Sequence, residues 1–356
     1  MDHAVILAGG HGERFWPLSR RQRPKQLLPI LGDQSLLETT IERIKPDFPA
    51  ERTWVVTSEE IGHAVQERVT YLPKENVLME PRGCNTALAI GWAAVEIARR
   101  DPEATLVVLS ADHAIEPAAM LRRILREGIR LAKAENNLVI IGINPSRPET
   151  GYGYIELGPH FASADGINSY QVETFREKPD RTTAQDYYYG RRHLWNAGIF
   201  VWTVKTLLEA LEKHCPGVYQ PLAQYRKSGR DRQALAKLYE TAERIPIDVA
   251  VLERASNVVA IKADLAWDDV GSWLALSRLR KADVDNNVLV GRVVEMETFD
   301  TTVYNDTDDL ICAFGVSDLV VVRTDKAILV AHKSRIDEIK RLMERLKSDP
   351  QWEPYL

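Results

Sequence analysis

The chain is 356 residues long, 45% hydrophobic and 27% charged, with 46 Lys and Arg against 51 Asp and Glu. That length predicts about two domains with enough apolar material for a real core, which excludes global disorder. The net charge of −5 lacks the basic excess of a nucleic-acid-binding surface, yet leaves room for a small anion in a local basic pocket.

Met1-Asp2-His3 has no basic n-region, and the apolar run at 4–8 is too short for a signal h-region. No apolar stretch approaches the roughly 18 residues of a membrane span, so no membrane partner is expected. Cys84, Cys215 and Cys312 are odd in number and far apart, which predicts reduced thiols and a cytoplasmic protein.

Apolar, β-rich runs at 4–7, 54–57, 106–109 and 138–141 read as buried strands of a parallel sheet. Between them lie helical patterns. In 117–134, Leu121, Ile124, Leu125, Gly128 and Ala132 share one face, with Pro117 as the first helical residue. A second helix is expected to open at Asn85, whose side chain can cap it, with Leu88, Trp92 and Val95 on one face. The alternation predicts an α/β, Rossmann-like, mixed and mostly parallel sheet flanked by helices.

Directly after the first run stands Leu7-Ala8-Gly9-Gly10-His11-Gly12-Glu13-Arg14-Phe15-Trp16-Pro17-Leu18-Ser19, followed by Pro24-Lys25-Gln26. Gly9, Gly10 and Gly12 let backbone N–H groups approach an anion, and Arg14 and Lys25 add fixed positive charge. The dinucleotide fingerprint fails here, because Phe15 stands where its third glycine belongs, and no P-loop lysine follows. A nicotinamide dehydrogenase is disfavoured on that ground. His11 is read as a loop contact at most.

Further motifs follow in order. Glu80-Pro81-Arg82-Gly83-Cys84-Asn85-Thr86 lies at a loop-to-helix boundary, and Asp112-His113 ends the run at 106–109. A carboxylate there sits where ligands of parallel sheets bind, although a turn or cap would also use it. No second His or Cys lies at zinc-ligand spacing from His113. Gly151-Tyr152-Gly153-Tyr154, Phe175-Arg176-Glu177-Lys178-Pro179 and Trp195-Asn196-Ala197-Gly198 each read locally as packing or punctuation. Trp267-Asp268-Asp269-Val270-Gly271-Ser272 places adjacent acids where neither helix nor strand needs them. Tyr187–Tyr189 reads as surface or interface packing.

After about residue 280 the pattern changes to short β runs at 288–290, 302–304, 310–314, 319–322 and 328–330, with no helix between them. A final helix is expected from Ser334, capped with Asp337, burying Ile336, Ile339, Met343 and Leu346. The division expected is 1–280 for a catalytic domain and 285–356 for a β-rich appendage with its helix. Asp300, Asp306, Asp308 and Asp309 read as a solvated turn cluster.

The run from Gly9 to Arg20 with Pro24-Lys25-Gln26 closely resembles the signature of the sugar nucleotidyltransferases, and within them the mannose-1-phosphate guanylyltransferase branch. The resemblance covers residues 4 to about 273, with at least six motifs in the family order. It implies GMP transfer from GTP to α-D-mannose 1-phosphate, giving GDP-mannose and diphosphate, with Mg²⁺ as cofactor.

By the same resemblance, Leu7, Ala8, Gly9, Gly10, Gly12, Glu80, Asn85 and Thr86 bind the nucleotide. Arg14 and Lys25 neutralise the triphosphate. Gly153, Glu177 and Asn196 contact the sugar, and Lys178 its phosphate. Asp112 and Asp269 hold the metal, Asp268 being the weaker candidate. Cys84 departs from the family pattern, where many relatives carry Arg. In the family the short C-terminal region resembles a left-handed β-helix that aids dimerisation, which implies a homodimer. Longer relatives carry a phosphomannose isomerase domain; too few residues follow 280 for it, so guanylyl transfer alone is expected. The alternatives are transfer to another hexose 1-phosphate and a non-catalytic regulatory relative that binds nucleotide sugars.

Overall fold

The computed structural model describes residues 1–10, 12–21 and 23–356. The short apolar runs form strands, as β-branched residues buried on both faces favour. In chain order these are β1 (Asp2–Leu7), β2 (Thr53–Ser58), β3 (Val77–Glu80), β4 (Thr105–Ser110), β5 (Ala114–Glu116) and β6 (Leu138–Ile143). There follow β7 (Tyr154–Ala164), β8 (Ile167–Arg176), β9 (His193–Thr203), β10 (Val258–Ala263) and β11 (Ala266–Asp268).

Among the described residues, nine of these strands make one sheet in the order β3-β2-β1-β4-β9-β6-β10-β8-β7. β3, β2, β1 and β4 are parallel, the Rossmann-like end. β9 then enters antiparallel between β4 and β6, so the sheet is mixed. An apolar run specifies burial on both faces but not the direction of its neighbour, which is why 106–109 and 138–141 gained an antiparallel partner. Three segments of interest lie just past carboxyl ends of the parallel strands: the Gly-rich loop after β1, Glu80 closing β3 and Asp112 after β4.

The helices preceding residue 280 are α1 (Leu36–Ile44), α2 (Glu59–Arg68), α3 (Asn85–Ala98), α4 (Ala118–Glu135), α5 (Arg181–Gly190), α6 (Val204–His214), α7 (Pro216–Ser228), α8 (Arg232–Thr241) and α9 (Leu274–Leu279). α4 buries the expected face, Leu121, Ile124, Leu125, Gly128 and Ala132. Pro117 sits one place earlier than expected, in the cap position, and Asn136 ends the helix at φ 53°. α3 does open at Asn85, but Asn85 does not cap it. Its φ of 67° places it outside the extended cap conformation, and its Oδ1 accepts from the adjacent Thr86 N–H, at 2.9 Å. Among the described residues no helix is long and apolar enough to cross a membrane.

The chain divides into two compact units. The first comprises Met1–Gly9, Ile41–Ser110 and Ile115–Trp267, and contains the nine-stranded sheet. The second joins Gly10–Thr40, Ala111–Ala114 and Asp268–Leu356. Within the second unit, β12 (Val288–Val290), β14 (Thr302–Asn305) and β16 (Leu319–Arg323) stack in parallel, as do β13 (Val293–Met296) and β15 (Ile311–Phe314). This alternation is a coil whose successive turns lie on one another, closed by antiparallel β17 (Ile328–His332). Gly291, at φ 84°, turns one corner where a Cβ would strike the Asn305 carbonyl.

Phe15, Trp16, Leu18, Leu28 and Ile30 share a core with Trp273, Leu276, Tyr304, Val320 and Val322. The Phe-Trp-Pro-Leu part of the signature is therefore packing. The acidic turn residues are tethered: Asp306 pairs with Arg23 at 2.5 Å and Asp300 with Lys333 at 2.7 Å. The last helix starts later than Ser334. A 3₁₀ segment, Lys333–Glu338, comes first, with the His332 ring accepting from Ser334 N–H, and α10 spans Ile339–Lys347. Its buried residues are nonetheless the expected Ile339 and Met343.

Candidate active site

In the second unit, Gly12 adopts φ 64°, and a Cβ there would collide with the Lys25 side chain and lie 2.8 Å from Ser19 Oγ. The glycine is thus required twice, for its left-handed backbone and for the room Lys25 occupies. Gly10 differs: the nearest atom to an added Cβ is Gln26 Nε2 at 3.8 Å, and the residue is exposed. Gln26 Nε2 donates to the Gly10 carbonyl at 2.8 Å, which pins this stretch of loop.

Lys25 is 7% exposed. Its Nζ donates to Asp112 Oδ2 at 2.6 Å and to the Asp269 backbone carbonyl at 3.2 Å, and lies 5.4 Å from the Phe15 ring centroid. One ammonium therefore gathers Asp112 and Asp269, which stand 157 positions apart in sequence. Asp268 and Asp269 are sharply distinguished. Asp268 is buried and bound by Arg278 through two hydrogen bonds of 2.6 and 3.0 Å, while its Oδ1 also accepts from Val270 N–H. Asp269 is partly exposed, and its carboxylate folds over Gly271, where a Cβ would come within 2.6 Å of Oδ2. Val270, which follows them, has φ 46°, a strained conformation for a β-branched residue.

No group of three or more His, Cys, Asp or Glu able to hold a metal exists among the described residues. Lys25 meets the carboxylate of Asp112 but the main chain of Asp269; as a donor set, two aspartate side chains suit a hard divalent ion that completes its shell with substrate oxygens, the habit of Mg²⁺. Arg14 is exposed at the start of the same segment. His11 lies outside the described residues.

In the first unit, Glu80 ends β3 with 7% exposure. Its Oε2 is 3.5 Å from where a Gly9 Cβ would stand, which sets the carboxylate beside the start of the Gly-rich loop formed by Leu7, Ala8 and Gly9. Burial pushes the Glu80 carboxyl up to about 7, opposed by the Tyr239 hydroxyl, which donates to Oε1 at 3.0 Å. Arg82 donates to the backbone carbonyls of Tyr239 and Glu240. Asn85 is exposed, whereas Thr86 Oγ1 accepts from Ile247 N–H at 2.9 Å.

The other first-unit set does converge. Asn196 N–H donates to the Gly153 carbonyl at 2.8 Å, and a Cβ on Gly153 would meet Glu177 Oε2 at 2.7 Å, Phe175 at 2.9 Å and Asn196 at 3.3 Å. Gly153 is therefore the residue that admits Glu177 and Asn196 together. Lys178, at φ 45°, donates to Glu177 Oε1 at 2.6 Å with its side chain 62% exposed. Asp248 and Tyr239, which carried no sequence motif, complete these two clusters. Each is a lone polar residue whose partner lies far away in the chain.

The nucleotidyl transferase family description matches residues 3–286, and a MannoseP isomerase/GMP-like beta-helix domain matches residues 291–346. The chain belongs to the nucleotidyl transferase family. A mannose-1-phosphate guanylyltransferase of Escherichia coli (strain K12) is 36% identical, covering 98% of this chain and 74% of its own. ManC of Salmonella typhimurium, also described as a mannose-1-phosphate guanylyltransferase, is 36% identical over 99% of this chain and 75% of its own. A solved structure from Thermus thermophilus, described as a mannose-1-phosphate geranyltransferase, is 35% identical with a TM-score of 0.88, covering 97% of this chain and 99% of that one. The β-helix match agrees with the parallel coil of β12 to β16.

Proposed function

We propose that this chain transfers GMP from GTP to α-D-mannose 1-phosphate, forming GDP-mannose and diphosphate. Family membership and relatives of about one-third identity support the reaction. The observation that carries the site is the Lys25 ammonium held between Asp112 and Asp269. The sugar phosphate attacks the nucleotide α-phosphorus in line with the departing diphosphate. A phosphate is already ionised at neutral pH, so the protein needs no nucleophile and no strong base. Its work is positioning and charge neutralisation.

In this reading Glu80 accepts from the N1–H and N2–H₂ edge of guanine. Leu7, Ala8, Gly9, Gly10 and Gly12 present backbone to the nucleotide, with Asn85 and Thr86 beside it. Arg14 and Lys25 neutralise the triphosphate and the leaving diphosphate. Lys178 takes the attacking phosphate, exchanging its bond to Glu177 for it. Glu177, Asn196 and Gly153 receive the sugar. Asp112 and Asp269 would hold Mg²⁺, which when bound neutralises charge on the phosphoryl oxygens. The functional division is 1–280 for transfer and 285–356 for the β-rich part. The reading places the protein in the cytoplasm and makes it a homodimer. The outer row of β13 and β15, with Val294, Met296 and Phe314 each more than half exposed, is the face we assign to a second copy.

Phosphorus NMR of the protein incubated with GTP, mannose 1-phosphate and Mg²⁺ tests the reaction. Paired appearance of GDP-mannose and diphosphate signals is expected. GTP loss with release of inorganic phosphate, and no sugar nucleotide, would overturn it.

A further inference from the structure

We propose that Asp248 is a positioning residue for sugar recognition: it holds the Asn196 side-chain amide in the orientation that meets the hydroxyls of a hexose 1-phosphate. The kind of ligand rests on the function proposed above; the role of Asp248 rests on its own geometry. Asn196 Nδ2 donates to Asp248 Oδ1 at 2.8 Å, while Asn196 Oδ1 accepts from Gly198 N–H at 3.1 Å. These two bonds fix which edge of the amide is nitrogen and which is oxygen. One N–H and one lone pair remain for a ligand. A primary amide without such partners would flip between two faces and offer a hydroxyl the wrong group half the time.

Asp248 is itself anchored. It opens a single π-turn, Asp248–Leu252, and the preceding residue, Ile247, donates its N–H to Thr86 Oγ1 at 2.9 Å. Ala87 N–H donates to the Ile245 carbonyl at 3.3 Å. The segment 245–248 thus ties the head of α3, on the nucleotide side, to Asn196, on the sugar side. Glu177 and Lys178 are the charged groups facing Asp248, with opposite effects. Burial, reinforced by Glu177, pushes the Asp248 carboxyl up to about 7. An acid that is part-protonated at neutral pH can still accept from Asn196 through Oδ1, so the amide orientation survives either state.

Steady-state kinetics of D248A, D248N, N196A and the double variant D248A/N196A test this. D248A is expected to raise KM for mannose 1-phosphate about tenfold, one hydrogen bond's worth, with KM for GTP within about twofold. D248N keeps an oxygen toward Asn196 and should stay near the parent KM. The double variant should be no worse than N196A alone, because both changes remove the same arrangement. Equal effects of D248A on both substrates, multiplying effects of D248A and N196A, or D248N as damaged as D248A would each overturn the proposal. If the parent protein instead prefers another hexose 1-phosphate, the mannose assignment fails. The same four ratios measured with that sugar still decide the role of Asp248.

Discussion

Glu80→Gln separates two consequences of one buried carboxyl. In the folded protein this group titrates near 7 rather than its ordinary 4.5, because burial disfavours its charge. The native state therefore retains a proton that the unfolded chain has released between those values. Stability falls as pH rises from about 4.5 through about 7, then levels. The shift of roughly 2.5 units corresponds to at most about 3 kcal/mol at pH 8. With an unfolding entropy near 2.1 cal/mol/K per residue, that is about 4 °C in Tm for a chain of this length. E80Q keeps an acceptor for the Tyr239 hydroxyl but cannot ionise.

Its Tm should therefore exceed the parent's by a few degrees at pH 8 and match it near pH 4, below both values. Asp248, shifted in the same direction, adds to the pH slope that remains, while His3, His193 and His214, whose pKa values burial lowers, oppose it. GTP binding should move the other way. Guanine's N–H groups prefer the carboxylate, and losing a charge-assisted pair costs about 1.5–3 kcal/mol, or roughly 10- to 150-fold in Kd. Differential scanning fluorimetry across pH and calorimetric GTP titration measure both. Parallel Tm profiles for E80Q and parent, or an unchanged GTP Kd, would refute the assignment of Glu80 to the base.

Lys25→Ala removes the cation between Asp112 and Asp269; kcat should fall by about 2–4 kcal/mol of barrier, roughly 30- to 1,000-fold, in a stopped diphosphate assay. Gly153→Ala forces a Cβ to within 2.7 Å of Glu177 Oε2, so KM for mannose 1-phosphate should rise while KM for GTP holds. Gly12→Ala adds strain at φ 64° as well as a clash with Lys25, and should cost about 1–3 kcal/mol of stability by chemical denaturation together with most activity. Met296→Lys puts a charge on the exposed β13 row, and if that row is the face of the proposed dimer, sedimentation velocity should show a monomer with the secondary structure intact.

The turn of the Gly-rich loop was legible because its demands are local. Glycine at a left-handed turn, and a lysine after a proline, announce themselves within a few residues. Asp112 and Asp269 were legible as strand-end or turn carboxylates, and only folding shows them sharing one ammonium. Choosing Asp269 over Asp268 rested on the resemblance; in the structure Arg278 pairs with Asp268.

Other features had no local signal. Asp248 and Tyr239 are single residues in segments whose pattern says only helix or turn. Their significance comes from Asn196 and Glu80, which are 52 and 159 positions away. The antiparallel entry of β9 was hidden because an apolar run looks the same in either direction. The Asn85 cap failed because, at positive φ, its Oδ1 takes the adjacent Thr86 N–H rather than one two or three residues on. The buried Phe15, Trp16 and Leu18 read as part of a binding signature, yet they pack against Trp273 and the β-coil. Within the second unit, the loop that would hold phosphate and the coil after residue 280 share one hydrophobic core.

The central claim is tested most directly by diphosphate release measured with mannose 1-phosphate and each of ATP, CTP, GTP and UTP, with glucose 1-phosphate run alongside. Release should be fastest with GTP and mannose 1-phosphate, stoichiometric with GDP-mannose, and abolished by chelating Mg²⁺. Equal release with ATP and glucose 1-phosphate, or none with any pair, would contradict the account.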